Sequence, residues 1–214
     1  MKNLRDRKIW IYLIYIFYAV GVAGHLFGTT LDLMLKMTPY TILFSSLYVF
    51  LLTDRSKKFY IWFIITFLFT YLMEVLGVKT GLVFGEYVYG KTLGFKLFEV
   101  PLLIGTNWVF VVLGSILLCE KYFKNTFLVA FATGLISFIF DFIMEPVAIN
   151  YDYWTWSGGS IPLQNYIAWF SIAFLAALLY KLLKVKITSK LPKHFVIVQF
   201  IFFSLLNLGI SIWG

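Results

Sequence analysis

The sequence predicts an all-α polytopic membrane bundle of about seven transmembrane helices. Three observations predict it. The chain is 61% hydrophobic and only 13% charged, with a mean hydropathy of +0.88, whereas a soluble domain carries about 45–50% apolar and about 25% charged residues. Apolar runs long enough to cross a bilayer recur from one end to the other. The basic residues sort into alternate connections between those runs, as the positive-inside rule requires.

The runs fall near 9–27, 37–53, 59–76, 100–119, 126–144, 161–183 and 194–213. Most are about 17–23 residues, enough to cross a ~30 Å hydrocarbon core at about 1.5 Å per residue. The first follows MKNLRDRK directly, with no small-residue cleavage site, and reads as a span rather than a cleavable signal. The second is the weakest, because Asp32, Lys36 and Pro39 crowd its start, and without it six spans remain. With seven, one side collects Lys2, Arg5, Arg7 and Lys8, then Arg55, Lys57 and Lys58, then Lys121 and Lys124. Lys181, Lys184, Lys186, Lys190 and Lys193 complete that side, leaving Lys36, Lys79, Lys91 and Lys96 on the other. The expected N-terminus is therefore cytoplasmic and the C-terminus faces out.

No repeat, low-complexity tract or linker divides the chain, so 1–214 is expected to form a single transmembrane domain. The net charge of +8 then reflects loops facing anionic lipid, and nucleic-acid binding is a poor reading. One cysteine, Cys119, excludes an internal disulfide and any cysteine-built metal site. Of the two histidines, His194 sits at the basic boundary, and His25 reads more simply as a hydrogen-bonded helix residue than as a ligand. No metal is expected. There is no GxGxxG, no nucleophile elbow, and no lysine in the last span to carry a retinal Schiff base.

What stands out is the stretch DFIMEPVAINYDYWTWSGGSIPLQN at 141–165. Asp141 and Glu145 are four apart and share a helix face, with Asp152 following in an aromatic loop. An acid inside a membrane helix costs about 2.5–3.5 kcal/mol on insertion scales, so two on one turn point to a polar cavity. The alternative is that they mark the helix end among lipid head groups. His25, Glu74, Asn107, Gln164, Asn165 and Asn207 also fall in the outer halves or at the outer ends of their spans, while Gln199 lies nearer the opposite face. A shared outer-leaflet cavity is the economical account. The two long loops are on that same side. The first, 77–99, holds Gly77, Gly81, Gly85 and Gly90 with Phe84, Tyr87 and Tyr89, and is expected to be compact or re-entrant. The second carries Tyr151, Tyr153, Trp154 and Trp156, rings that would otherwise read as an interfacial aromatic belt.

Carboxyls in a water-poor aromatic pocket suit acid–base chemistry. Burial and a second carboxylate nearby both disfavour the anion, so such a group can stay protonated and donate its proton. Aromatic faces would stabilise a developing cation through their quadrupoles. That combination fits protonation of an alkene on a lipophilic substrate.

Three strings carry a resemblance. They are Glu74-x-x-Gly77-x-x-Thr80-Gly81-x-x-Phe84-Gly85-x-Tyr87-x-Tyr89, then Asp141-x-x-x-Glu145-Pro146-x-Ala148, then Trp154-x-Trp156 with Pro162-x-x-Asn165-x-x-x-Trp169. Together they resemble the membrane carotenoid-biosynthesis family that includes carotenoid 1′-hydratases. Ser160-Ile161 departs from a more usual aromatic-glycine pair before the proline, and Tyr166 stands where phenylalanine is common.

The resemblance implies a 1′,2′-hydratase adding water across the terminal double bond of an acyclic (ψ) carotenoid end group. Glu74 or Asp141 would protonate C2, and Trp108, Trp154 or Trp156 would shield the tertiary cation at C1. Glu145 or Asp152 would deprotonate a water oriented by Asn107 and Asn165. Thr80, Phe84, Tyr87, Tyr89 and Trp169 complete the substrate-binding residues that the motifs imply. No cofactor is needed, because water addition is not an oxidation. The implied partners are a lipophilic carotenoid, water, membrane lipid and other enzymes of the carotenoid pathway, in a bacterial or archaeal cytoplasmic membrane with the site toward the outer leaflet. Two alternatives stay open: an end-group cyclase sharing the protonation step, and a non-enzymatic transporter or sensor that relays protons through the same carboxylates.

Overall fold

A computed structural model describes residues 8–213. Lys2, Arg5 and Arg7 of the N-terminal basic cluster lie outside the described residues. Among the described residues, seven helices are long and apolar enough to cross a membrane. They are α1 (Lys8–Leu26), α2 (Gly28–Leu52), α3 (Lys57–Thr80), α4 (Leu102–Cys119), α5 (Thr126–Asn150), α6 (Leu163–Leu182) and α7 (Leu191–Trp213). Short strands interrupt two connections: β1 (Tyr87–Tyr89), β2 (Lys96–Leu97) and β3 (Val100–Pro101) before α4, and β4 (Trp154–Trp156) before α6.

Helix α1 runs antiparallel to α2, and α3 to α6, as cross-helix hydrogen bonds show. The Tyr48 hydroxyl of α2 donates to the Trp10 carbonyl of α1 at 2.8 Å, and the Trp62 indole of α3 donates to the Ala176 carbonyl of α6 at 2.9 Å. Lys8, Arg55, Lys57, Lys58, Lys121, Lys124 and the lysines of 181–193 therefore gather at one end of the bundle. The Asp54 carboxylate ties two connections there, accepting from the Thr188 hydroxyl at 2.9 Å and the Ser189 amide at 3.0 Å.

The helices start where side chains satisfy the free amides of a first turn. Ser56 accepts from the Phe59 amide to open α3, and Asn125 accepts from Phe127 and Leu128 to open α5. Helix α4 carries no charge, and 78% of its span is buried, as expected of a helix that is apolar all round. It is the centre of the bundle. Gly114 lets α7 approach, since a Cβ there would stand 2.3 Å from the Pro192 carbonyl oxygen.

Two helices differ from their apolar runs. Helix α2 begins at Gly28, so the polar turn expected to weaken this span is helical, with Lys36 and Asp32 paired at 2.7 Å and Pro39 inside. Helix α5 does not end at its acid pair but continues through Pro146 to Asn150. Proline removes one backbone bond and crowds the preceding turn, but packed neighbours make that tolerable in a membrane helix. Glu145 consequently lies within the helix rather than at its end.

The end opposite the lysines is closed by a strap that joins the two long connections. Strands β1 and β4 pair antiparallel, with Tyr87 opposite Trp156 and Tyr89 opposite Trp154. Tyr87, Tyr89, Trp154 and Trp156 face inward, and Val88 and Thr155 face out. The segment at 77–99 is compact: α3 extends through Gly77 to Thr80, Gly81 caps it in the left-handed region (φ 67°), and β2 pairs with β3. The Tyr71 hydroxyl anchors that small pair by donating to the Leu97 carbonyl at 2.6 Å.

Candidate active site

Beneath the strap, α3 delivers Glu74 and α5 delivers Asp141 and Glu145 into one chamber. The three carboxyl residues are only 3%, 1% and 1% exposed. They line a cavity of about 20 Å³ with Phe84, Tyr87, Tyr89, Trp108, Trp154, Trp156, Asn165 and Trp169. A cavity of that size has room for about one water molecule. No lysine, arginine or histidine lines it.

Each acid is held differently. The Glu74 carboxyl accepts from the Tyr87 hydroxyl, and the Tyr89 hydroxyl is within hydrogen-bonding reach of it. Glu145 Oε2 accepts from the indole N–H groups of Trp154 and Trp156, both at 3.0 Å, and its Oε1 accepts from Asn165 Nδ2 at 3.1 Å. The same Asn165 nitrogen donates to Asp141 Oδ2. An amide nitrogen has two hydrogens, so Asn165 can bridge the two acids of α5 with one hydrogen each. Burial pushes the Tyr87 and Tyr89 phenols of the strap well above their ordinary range, and the Glu74 carboxylate adds to the effect. They face Glu74 as O–H donors.

Stacked rings form another wall. Trp108 and Trp169 lie face to face, 3.6 Å between centroids at 11°, and Phe84 stacks on Trp169 at 5.0 Å. Gly77 makes room for this wall, since a Cβ there would stand 2.5 Å from the Phe84 ring.

The structure brings together Glu74, Asp141, Glu145, Phe84, Tyr87, Tyr89, Trp108, Trp154, Trp156, Asn165 and Trp169. It does not bring Asp152, Thr80 or Asn107 to the chamber. Asp152 is exposed on the outside of the strap at φ 54°, where its carboxylate accepts from the Lys91 amide at 3.3 Å. The Thr80 hydroxyl donates to the Leu76 carbonyl at 2.6 Å and accepts from the Leu82 amide, closing α3. Asn107 accepts from Gln199 Nε2 at 2.8 Å and lines a neighbouring cavity together with His25. The expected sharing of one cavity by all the outer polar residues is narrower in fact. Gln164 holds the Leu82 carbonyl, and Asn207 donates to the Ile143 carbonyl at 2.6 Å.

A family model described as "Carotenoid biosynthesis protein" matches residues 35–214. The chain belongs to the carotenoid biosynthesis protein family. The bisanhydrobacterioruberin hydratase of Haloarcula japonica is 27% identical over 162 residues, a match covering 68% of this chain and 55% of that protein. The chain thus spans about half the length of that curated relative. No solved structure matches. With seven membrane-length helices, this member of the carotenoid biosynthesis family is an integral membrane protein.

Ile104 and Met144 also line the chamber, and the motifs did not mark them. Met144 stands between the two acids on the α5 face, three residues after Asp141, which is the one signal that could have found it. Ile104 is an apolar residue in an apolar helix and carries no such signal.

Proposed function

We propose that this protein is a carotenoid hydratase adding water across the terminal 1′,2′ double bond of an acyclic (ψ) end group. One observation carries the reading: three buried carboxyls from two helices converge, without a cation, on a water-sized space walled by aromatic rings. Family membership and the likeness to a protein named as a hydratase support it.

Charges of one sign in a dry chamber cannot all be present at once without a large Coulomb cost, so the chamber retains at least one acidic hydrogen. Asp141 is the better proton donor. A single N–H reaches it, whereas Glu145 receives three N–H donors suited to an anion. The Asp141 proton goes to C2 of the end group, and the π electrons leave a tertiary cation at C1. Trp108, Trp154 and Trp156, which line the chamber, would offset that charge through their ring quadrupoles. Water forms the C–O bond at C1 and loses a proton to Glu145. The sum is one alkene plus one water giving one tertiary alcohol, with no electron transfer. The proton that Glu145 has taken returns to Asp141, with Glu74 and its two tyrosines as the relay, for the next turnover. Asp152 takes no part, because it lies outside the chamber.

The lysine-rich end faces the cytoplasm in this reading, which puts the chamber toward the outer leaflet. The test is expression in a lycopene-producing host grown in ¹⁸O-labelled water. The expected pigment is heavier by one water and carries the label. Unchanged pigment overturns the reading, and an isomer of unchanged mass assigns a cyclase instead.

A further inference from the structure

The carboxyl chamber has space for water but not for the hydrocarbon that must reach it. Three of its wall residues, Ile104, Met144 and Trp154, are also the wall of a second cavity, of about 70 Å³, enclosed by α1, α2, α4, α5 and α7. That cavity is lined mainly by apolar side chains, among them Phe17, Ile42, Leu93, Phe202 and Phe203. Phe17 also lines a groove of about 270 Å³ between α1 and α2, with Leu13, Ile14, Phe44, Ser45 and Tyr48. Groove, cavity and chamber therefore follow one another through shared residues. Phe17 and Phe44 on the groove are 42% and 61% exposed, so the groove opens on the outer surface of these two helices, which are the least buried of the bundle.

Two polar atoms in the middle cavity have no hydrogen-bond partner among the described residues: His25 Nε2 and Gln199 Oε1. Both residues are more than nine-tenths buried. His25 Nδ1 stands 2.7 Å from the Gly21 carbonyl, which can only accept, so Nδ1 carries the proton and the neutral ring presents Nε2 as a lone pair. Gln199 spends its amide hydrogens on Asn107 Oδ1 and the Tyr18 hydroxyl, which leaves Oε1 as an acceptor. Buried acceptors left unmatched are costly. Two in one otherwise greasy space call for a ligand that brings an O–H.

We propose that groove and middle cavity form the channel for the substrate's isoprenoid chain, and that His25 and Gln199 make a subsite for a hydroxyl on that chain. Ile104, Met144 and Trp154 are the doorway to the acids. The proposal rests on the hydratase reading for the identity of the chain. Asn107 serves here as a positioning residue, turning the Gln199 amide so that its oxygen faces the cavity.

The experiment uses the full chain in lipid vesicles and two acyclic carotenoids. One is a hydrocarbon; the other is the same chain with one hydroxyl on the isoprene unit next to the reacting alkene. The wild type is expected to show a KM about fivefold lower for the hydroxylated chain, the size of one ordinary hydrogen bond. His25→Phe keeps a ring against Tyr151 and Phe202 but removes the acceptor, and Gln199→Leu removes the other; in each the KM ratio falls toward one. Ile42→Trp, which fills the channel, should raise KM for both chains. Equal KM values in the wild type, or a ratio that survives both His25→Phe and Gln199→Leu, overturn the subsite. An unchanged KM in Ile42→Trp overturns the channel. If the wild type turns over neither chain, the hydratase reading itself fails, and this proposal with it.

Discussion

Glu145 is the most fully bonded of the three chamber acids, and its partners show how the residue scale works here. Two indoles and one amide converge on two oxygens because Trp154 and Trp156 alternate on a strand and Asn165 opens the helix opposite. The acids themselves were legible in the sequence, since a carboxylate in an apolar run is expensive unless something receives it. Thr80 and Asp152 were attached to the site because they lie within or beside the motifs, and Asn107 because it falls in the outer half of its span, but position along the chain does not fix where a side chain points. Asp141→Asn and Glu74→Gln are each expected to lower turnover about 100-fold or more, with protein still accumulating in the membrane. Asp152→Asn, at a left-handed position that asparagine tolerates, should leave turnover near that of the wild type. Pigment analysis of the three variants checks this, and full activity in both Asp141→Asn and Glu74→Gln removes the proposed chemistry.

Among the elements, the β1–β4 strap decides most. Tyr-Val-Tyr and Trp-Thr-Trp each show the alternation of a half-buried strand, so each strand was readable in its own right. Their pairing was not, because 64 residues of helix and loop separate Tyr89 from Trp154 along the chain, and nothing in that span names a partner. The strap is also tightly fitted: a Cβ at Gly90 would stand 2.1 Å from the Asp152 carbonyl oxygen. A cysteine introduced at Gly90 for labelling would therefore disturb the strap. Gly158 has nothing within 4 Å and suits a reporter. Gly158→Cys should react with an impermeant thiol reagent added to intact cells, whereas Tyr122→Cys, 70% exposed at the lysine-rich end, should react only after permeabilisation. Native Cys119 is buried and contributes little background. The reverse labelling pattern would put the chamber at the cytoplasmic face.

At the scale of the whole molecule, the chemistry sits at one end and most of the basic residues at the other, with the uncharged α4 between them. Changes remote from the chamber should then act on stability alone. Tyr180 is a clear case: it is 1% exposed, its ring meets Trp62 edge-on at 5.5 Å, and its hydroxyl has no hydrogen-bond partner among the described residues. Deleting an unmatched buried hydroxyl is close to neutral or stabilising, so Tyr180→Phe should keep full turnover and an equal or higher melting temperature. A fall of several degrees in the detergent-solubilised protein would show that the hydroxyl has a partner after all. The sequence by itself determined a bundle of six or seven spans, the sorting of its basic residues and the acids it carries, because hydropathy, charge sorting and the cost of a buried carboxylate are local quantities. Only the tertiary structure decided which polar groups meet, that the two aromatic loops close as one strap, and that a second cavity backs onto the chamber. Those facts depend on how helices rotate and cross, and apolar residues such as Ile104 look the same in the sequence whether they face lipid, a neighbour or a cavity.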